Sequence, residues 1–546
     1  MPDRAPSNVT AAYRRLSKRA RTSSGFSLRI ALTAYLSVVL LCACRAPAAA
    51  VANAGVEVGN LLSRYQDAIA DPGVRDFERL ETSGTVAAGG LTGTFRTWLD
   101  ADRERSDQSL GPRSERTLRI GERMWYADAS GNVREFTGVF ARRARTQRFI
   151  DSGSFAQAPG RCVARGPTVA GGKKVHALDV TADGGETETL YLDAVTGLPD
   201  RVGYDDDDGR TTIDYSDWRT IAGRRFAFKL VVSNGDRAFD IVQTTTSVDA
   251  GSPVDAAVFA PLVGRRIETA GLQTVRLTYH DGHFYAPVRI DGRPFTFLLD
   301  TGSQDIVVDK RVAAELGLSP VGAFQASGAA RTGGLRYVQL AEIAIAGARL
   351  RDVVVTTLDL RATTSGAFRI DGILGYPFFA SASVRLDPAH RTMTFGTPGA
   401  FTPEGDKVAL VMDRAIPEAT LRLDATTNGQ FIVDTGNAAE LLLYKPFVDK
   451  HPGIVPFTQN IRRGYGIGGA TNSYRSSLES LDIGGVSIYH ADVDVMRATR
   501  GAFADRFAAG NVGLGILKNF VVTFDEANSA MYLQKGDDFN DGRARV

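Results

Sequence analysis

The amino-acid sequence predicts a predominantly all-β protein: an antiparallel β domain with one helix, followed by two homologous β lobes. Three observations carry this. Residues 55–265 alternate apolar and polar side chains in short runs such as TVAAGGLTGTFRTWLD, RMWYADASGNVREF and ETETLYLDAVTGLPDRVGYD, parted by Gly, Asp and Asn turns; period-two alternation with turn signals at that spacing marks antiparallel strands. Only VGNLLSRYQDAIADPGV near the start of this region has apolar residues at helical spacing and a Pro-Gly stop. From Leu272 onward the chain says nearly the same thing twice, which marks an internal duplication.

At 546 residues the chain exceeds one ordinary core and reads as several domains: a leader over 1–54, a β domain over 55–265, and lobes over 266–400 and 401–546. Lys and Arg number 64 against 62 Asp and Glu, a formal charge of +2, so no global field points to nucleic acid as a partner. Basic character is local to the start, where Arg4, Arg14, Arg15, Lys18, Arg19, Arg21 and Arg29 precede the apolar run IALTAYLSVVLLCA at 30–43. This is a signal-peptide layout: the run is short for a permanent membrane helix, and Ala52-Asn53-Ala54 offers a cleavage site. An uncleaved anchor is the alternative, and both readings export the body to the periplasm or beyond the cell. Leu41-Cys42-Ala43-Cys44 also resembles a bacterial lipobox, which implies lipidation at Cys44. Membrane association is expected only through that lipid or the anchor. Cys162 is then left without a partner, so disulfides do not staple the mature domains.

Within the first domain, Tyr191-Leu192-Asp193 and Thr196-Gly197-Leu198-Pro199, followed by IDYSDWRTIAGRRFAFKLVV, resemble the strand-turn-strand series of periplasmic lipoprotein-carrier and outer-membrane lipoprotein-sorting domains. The resemblance implies a curved half-barrel with an apolar concave face and a lipid or lipoprotein as its partner. The run Asp205–Asp208 reads as a solvated hairpin tip in preference to a calcium site.

The duplication carries the chemistry. The first copy reads APVRIDGRPFTFLLDTGSQDIVVDKRVAAELGL and later DGILGYPFFASASVRLDPAHRTMTF; the second reads ATLRLDATTNGQFIVDTGNAAELLLYKPFVDK and later NVGLGILKNFVVTFDEANSAMYL. One Asp-Thr-Gly is weak, since about 0.1–0.2 occur by chance in a chain this long. Two in matching contexts are informative: both follow apolar strands, and both precede a Leu-Gly pair, Leu374-Gly375 and Leu514-Gly515. With these residues the chain from Leu272 to about Gln534 resembles the retropepsin and pepsin-like aspartic peptidases. The resemblance implies a bilobal double-β-barrel fold in which Asp300 and Asp434 meet across a pseudo-twofold axis. Two carboxyls so held cannot both ionise easily; they share a proton, one serving as base and the other as acid toward a water that attacks a peptide carbonyl.

In the family pattern Thr301 and Thr435 reach across to the opposite turn, and Gly302 and Gly436 remove the Cβ that would block close approach. Asn437 stands where the first copy has Ser303, and Gly513 where it has Ile373. Flaps are expected at SGAARTGG, with Gly328, Gly333 and Gly334, and at GYGIGG, with Tyr465, Gly466 and Gly468. The second also fits G-x-G-x-x-G, but no βαβ pattern surrounds it. His280-Asp281-Gly282-His283 reads as a turn and not a metal site. No cofactor is called for.

The function expected is therefore an aspartic endopeptidase acting on polypeptide, as a monomer with intramolecular lobe pairing. Two rivals remain: a non-catalytic envelope protein that binds lipid or peptide through the N-terminal half-barrel, and a protease whose lobes pair between chains.

Overall fold

A computed structural model describes residues 54–74, 77–206, 209–327, 332–361, 368–412, 414–466, 469–499 and 501–543. The leader, the lipobox with Cys44, Asp207, Asp208, Gly328 and Gly468 lie outside the described residues. The protein is predominantly β, as the alternation predicts.

Strands from Arg79–Ala88 to Ile241–Ala250 form one 13-stranded antiparallel sheet, running as a meander on either side of the pairing between those two strands. Alternation of buried and exposed residues along Arg79–Ala88 leaves one apolar face. The opening helix, Ala54–Ile69, covers it with Val58, Leu61, Leu62, Tyr65 and Ile69, touching strands Cys162–Ala170 and Arg224–Ser233. The sequence predicts one helix here, yet a second spans Val139–Asp151. It escapes a hydrophobic-periodicity reading because its buried side includes Arg143, Thr146, Gln147 and Asp151: Gln147 Nε2 donates to Asp151 Oδ1 (2.9 Å) and to the Tyr215 hydroxyl (3.1 Å). Asp206 is also buried, beside Arg143, so the Asp run is not solvated throughout.

The two lobes repeat one topology. In the first, strands His283–Ile290, Arg293–Leu299, Gly372–Leu374, Val307–Asp309, Ala348–Leu358 and Thr332–Ile345 follow one another, and Arg289 and Ile290 pair with Ala344 and Ile343 to close the ring. In the second, Glu418–Leu423, Thr427–Asp434, Gly510–Gly513, Leu441–Leu443, Val486–Met496 and Gly469–Ile483 do the same, closed by Arg422 and Leu423 against Asp482 and Leu481. Each lobe is a six-stranded closed barrel. A six-stranded sheet takes three strands from each lobe, with Ser383–Asp387 paired to Phe520–Asp525 at its centre. One apolar core runs through both lobes and this shared sheet, so the halves are welded by burial.

The N-terminal sheet packs on the first lobe. Val86, Ala88 and Leu110 belong to the same apolar cluster as Phe324, Leu335, Tyr337 and Val354. Fully enclosed Arg113 pairs with Glu115 and donates to the Tyr337 hydroxyl (3.2 Å), and Ala323 N–H donates to Gly89 O (2.8 Å).

Candidate active site

Each Asp-Thr-Gly turn is placed by a parallel pairing in the centre of its lobe. Phe297, Leu298 and Leu299 lie beside Gly372, Ile373 and Leu374; Phe431, Ile432, Val433 and Asp434 lie beside Gly510, Asn511, Val512 and Gly513. An apolar strand buried on both faces must end where the chain reaches the lobe boundary, and the polar turn sits there.

The two turns interlock. Thr301 Oγ1 donates to Val433 O (2.7 Å) and accepts from Thr435 N–H (3.0 Å); Thr435 Oγ1 donates to Leu299 O (3.0 Å) and accepts from Thr301 N–H (3.1 Å). Both threonines are buried. This brings the carboxyls of Asp300 and Asp434 into hydrogen-bonding contact with one another. The glycines are required sterically: a Cβ on Gly302 would lie 2.6 Å from Asp434 Cγ, and one on Gly436 would lie 2.7 Å from Asp300 Oδ2. Such separations are inside van der Waals contact, so no larger residue fits without parting the turns.

The electrostatics are unequal. Burial pushes Asp300 well above the usual carboxylate range, and the Asp434 charge and hydrogen bond push it further against the opposing N–H groups of Gly302 and Ser303. Asp434 is also raised by burial, but it is held back by the Asn511 amide, the bond from Asp300, the Gly436 N–H at 2.8 Å, and His283. The two carboxyls titrate as a coupled pair, and the Asn511 amide that faces Asp434 is matched at Asp300 by backbone N–H groups alone.

Two features differ from the sequence reading. The duplicated Leu-Gly pairs are not equivalent. A Cβ on Gly375 would lie 2.6 Å from Ser303 O, and one on Gly513 2.6 Å from Asn437 O; Tyr376 N–H donates to Ser303 O (2.9 Å) as Leu514 N–H does to Asn437 O (2.7 Å). The counterpart of Leu374-Gly375 is therefore Val512-Gly513, two residues earlier than Leu514-Gly515, and Ile373 corresponds to Asn511. Matching identical letters chose the wrong register because Val replaces Leu at the true position. Asn511 was missed for the same reason; its polarity inside an apolar strand was the available signal. His283 was read only as part of a turn. That turn exists, with Asp281 and Gly282 at positive φ, but His283 Nε2 also lies 3.1 Å from Gly436 O, and burial lowers its basicity.

The side chains after the glycines act differently from each other. Ser303 Oγ donates to Asp305 O (2.9 Å), whereas Asn437 Nδ2 donates to Asn511 Oδ1 (2.9 Å). Both expected flap segments belong to antiparallel hairpins. Gly333 and Gly334 pair with Ala326 and Gln325; Tyr465 and Gly466 pair with Ala470 and Gly469. Gly328 and Gly468 lie outside the described residues. Among the described residues no group of three or more His, Cys, Asp or Glu is arranged to hold a metal. Cys162 is buried and free, its thiol pushed up to about 12 by burial.

Residues 286–378, which contain the first Asp-Thr-Gly, match the aspartyl protease family. No curated protein matches the chain. Among solved structures, its N-terminal part is similar to a DUF1329 family protein from Desulfovibrio piger (16% identity, 38% of this chain and 98% of that one, TM-score 0.28). It is also similar to a putative outer membrane lipoprotein-sorting protein domain from Vibrio parahaemolyticus (11%, 38% and 97%, 0.26) and to a LolA superfamily protein from Nitrosomonas europaea (13%, 37% and 97%, 0.26).

Proposed function

We propose that this protein is an aspartic endopeptidase that hydrolyses peptide bonds with water activated between Asp300 and Asp434, in the cell envelope or outside the cell. The observation that carries the reading is the contact of these two half-buried carboxyls across interlocked Asp-Thr-Gly turns. The aspartyl protease match over 286–378 supports protease-like chemistry, and the basic leader followed by an apolar run supports export.

The dyad works singly protonated. The ionised carboxylate takes a proton from water as its oxygen bonds to the scissile carbonyl carbon, and the protonated carboxyl donates to the carbonyl oxygen as it gains negative charge. The resulting tetrahedral diol collapses when the proton taken from water passes to the leaving nitrogen and the C–N bond breaks; the other proton returns to its carboxyl. No metal and no covalent enzyme intermediate enter. The Thr interlock fixes the separation of the two groups, and burial supplies the low dielectric that forces proton sharing. An extended polypeptide is the substrate, and one chain supplies both halves of the site.

Asp300→Asn and Asp434→Asn test the reading. Each retains shape and removes a titrating carboxyl; each is expected to abolish cleavage of an unfolded polypeptide at acidic to neutral pH while leaving the thermal transition in place. Undiminished cleavage by either purified variant rejects the dyad.

A further inference from the structure

The dyad is built from a duplicated motif, yet its two halves are not wired alike. At the position beside Leu298 the first lobe carries Ile373, and at the equivalent position beside Ile432 the second carries Asn511. Asn511 is buried, and its Nδ2 donates to Asp434 Oδ2.

The direction of this amide follows from a relay whose far end is backbone. Ala439 N–H can only donate, and it donates to Asn437 Oδ1 (2.9 Å). That turns Asn437 Nδ2 toward Asn511 Oδ1 (2.9 Å), which in turn leaves Asn511 Nδ2 facing the carboxylate. Among the described residues the first lobe has no such relay: Ile373 has no polar side-chain atom, and Ser303 Oγ is directed to Asp305 O.

We propose that Asn511, held by Asn437, is a positioning residue that makes the dyad unequal, fixing the ionised carboxylate at Asp434 and leaving the shared proton on Asp300. The assignment rests on the aspartic peptidase reading above. Asp434 is then the base toward water, and Asp300 is the acid toward the carbonyl oxygen. The other groups facing Asp434 are Asp300 across the interface, the Gly436 N–H on its own turn, and His283 from the neighbouring hairpin; Asp300 is faced by Asp434 and the N–H groups of Gly302 and Ser303. Of these only Asn511 and His283 belong to one half without a counterpart in the other, and the His283 nitrogen near the site is engaged with Gly436 O.

The test is the pH dependence of kcat/KM on a fluorogenic peptide for wild type and Asn511→Leu, which places an aliphatic side chain where the first lobe has one. A hydrogen bond to a charged group shifts titration by about one to two pH units. The acid limb is therefore expected to move up by about that much, lowering kcat/KM roughly tenfold per unit on that limb, while the alkaline limb stays in place. Asn437→Ala, which releases the relay one step further back, is expected to shift the same limb less, and it serves if Asn511→Leu does not fold.

A readout independent of turnover separates this inference from the hydrolase reading. Infrared titration of the carboxyl band in Asp300→Asn, referenced to the Asp300→Asn/Asp434→Asn double variant, isolates Asp434. Adding Asn511→Leu is expected to raise its midpoint by at least one pH unit. A midpoint and acid limb both unchanged within about 0.3 unit overturn the role of Asn511. A raised midpoint in a protein that cleaves no polypeptide supports Asn511 while removing the hydrolase reading.

Discussion

Replacing Thr301 by Val keeps the shape of a fully enclosed side chain and deletes one hydroxyl that makes two hydrogen bonds across the lobe interface. Val433 O loses its donor at 2.7 Å and Thr435 N–H loses its acceptor at 3.0 Å. Neither backbone group has water to turn to, and each unsatisfied buried group costs about 1–3 kcal/mol, so the variant should lose about 2–6 kcal/mol. For a unit the size of the two lobes, each kcal/mol moves the midpoint by about 2–4 °C, which places the fall at roughly 4–24 °C. Thr435→Val should cost a similar amount through Thr301 N–H and Leu299 O. The double variant should cost less than the sum, because once one bridge is gone the turns part and admit water. Thr301→Ser, which retains the hydroxyl, should stay near wild type. Thermal denaturation followed by near-ultraviolet circular dichroism reads the stability, and peptide hydrolysis reads the dyad. Losses under about 0.5 kcal/mol at both threonines, the level of an ordinary surface substitution, would falsify the interlock as the device that holds the carboxyls together.

Two further expectations concern the dyad glycines and the buried carboxyls. Gly302→Ala and Gly436→Ala each drive a methyl into the opposite carboxyl, 2.6 Å from Asp434 Cγ and 2.7 Å from Asp300 Oδ2 respectively, so both should abolish hydrolysis; retained activity in either variant contradicts the contact. Asp151, Glu188, Glu526 and Asp300 are all raised by burial, so the folded protein binds more protons than the unfolded chain above the ordinary carboxylate range, and stability should rise as pH falls from neutral toward about 5. It should fall only at lower pH, where ion-paired carboxylates such as Asp359, held down to about 2 by Arg361, begin to protonate. Melting temperatures across pH 4–8 check this, and Asp151→Asn should flatten the slope; a midpoint that rises from pH 5 to 7.5 contradicts it.

The legibility of the chain varied with the kind of signal. The duplicated Asp-Thr-Gly turns and their glycines could be read because each depends on residue type at a fixed short offset, and the threonine bridges were implied by the family resemblance those turns carry. The helix Val139–Asp151 could not, since its buried side is satisfied by hydrogen bonds to Tyr215 and Asp151 and leaves weak apolar periodicity. The docking of the N-terminal sheet on the first lobe was also illegible. Arg113, Glu115 and Tyr337 look like ordinary strand residues until long-range folding buries them together.

By itself the sequence determined the strand pattern, the twofold repeat and the pair of acidic turns, because local periodicity and recurrence are written along the chain. Only the tertiary structure decided that Val512-Gly513 answers Leu374-Gly375, that Asn511 faces Asp434, and that the two carboxyls differ. Those facts depend on which strands lie side by side, and in a parallel pairing formed by residues more than seventy positions apart, nothing local sets the register.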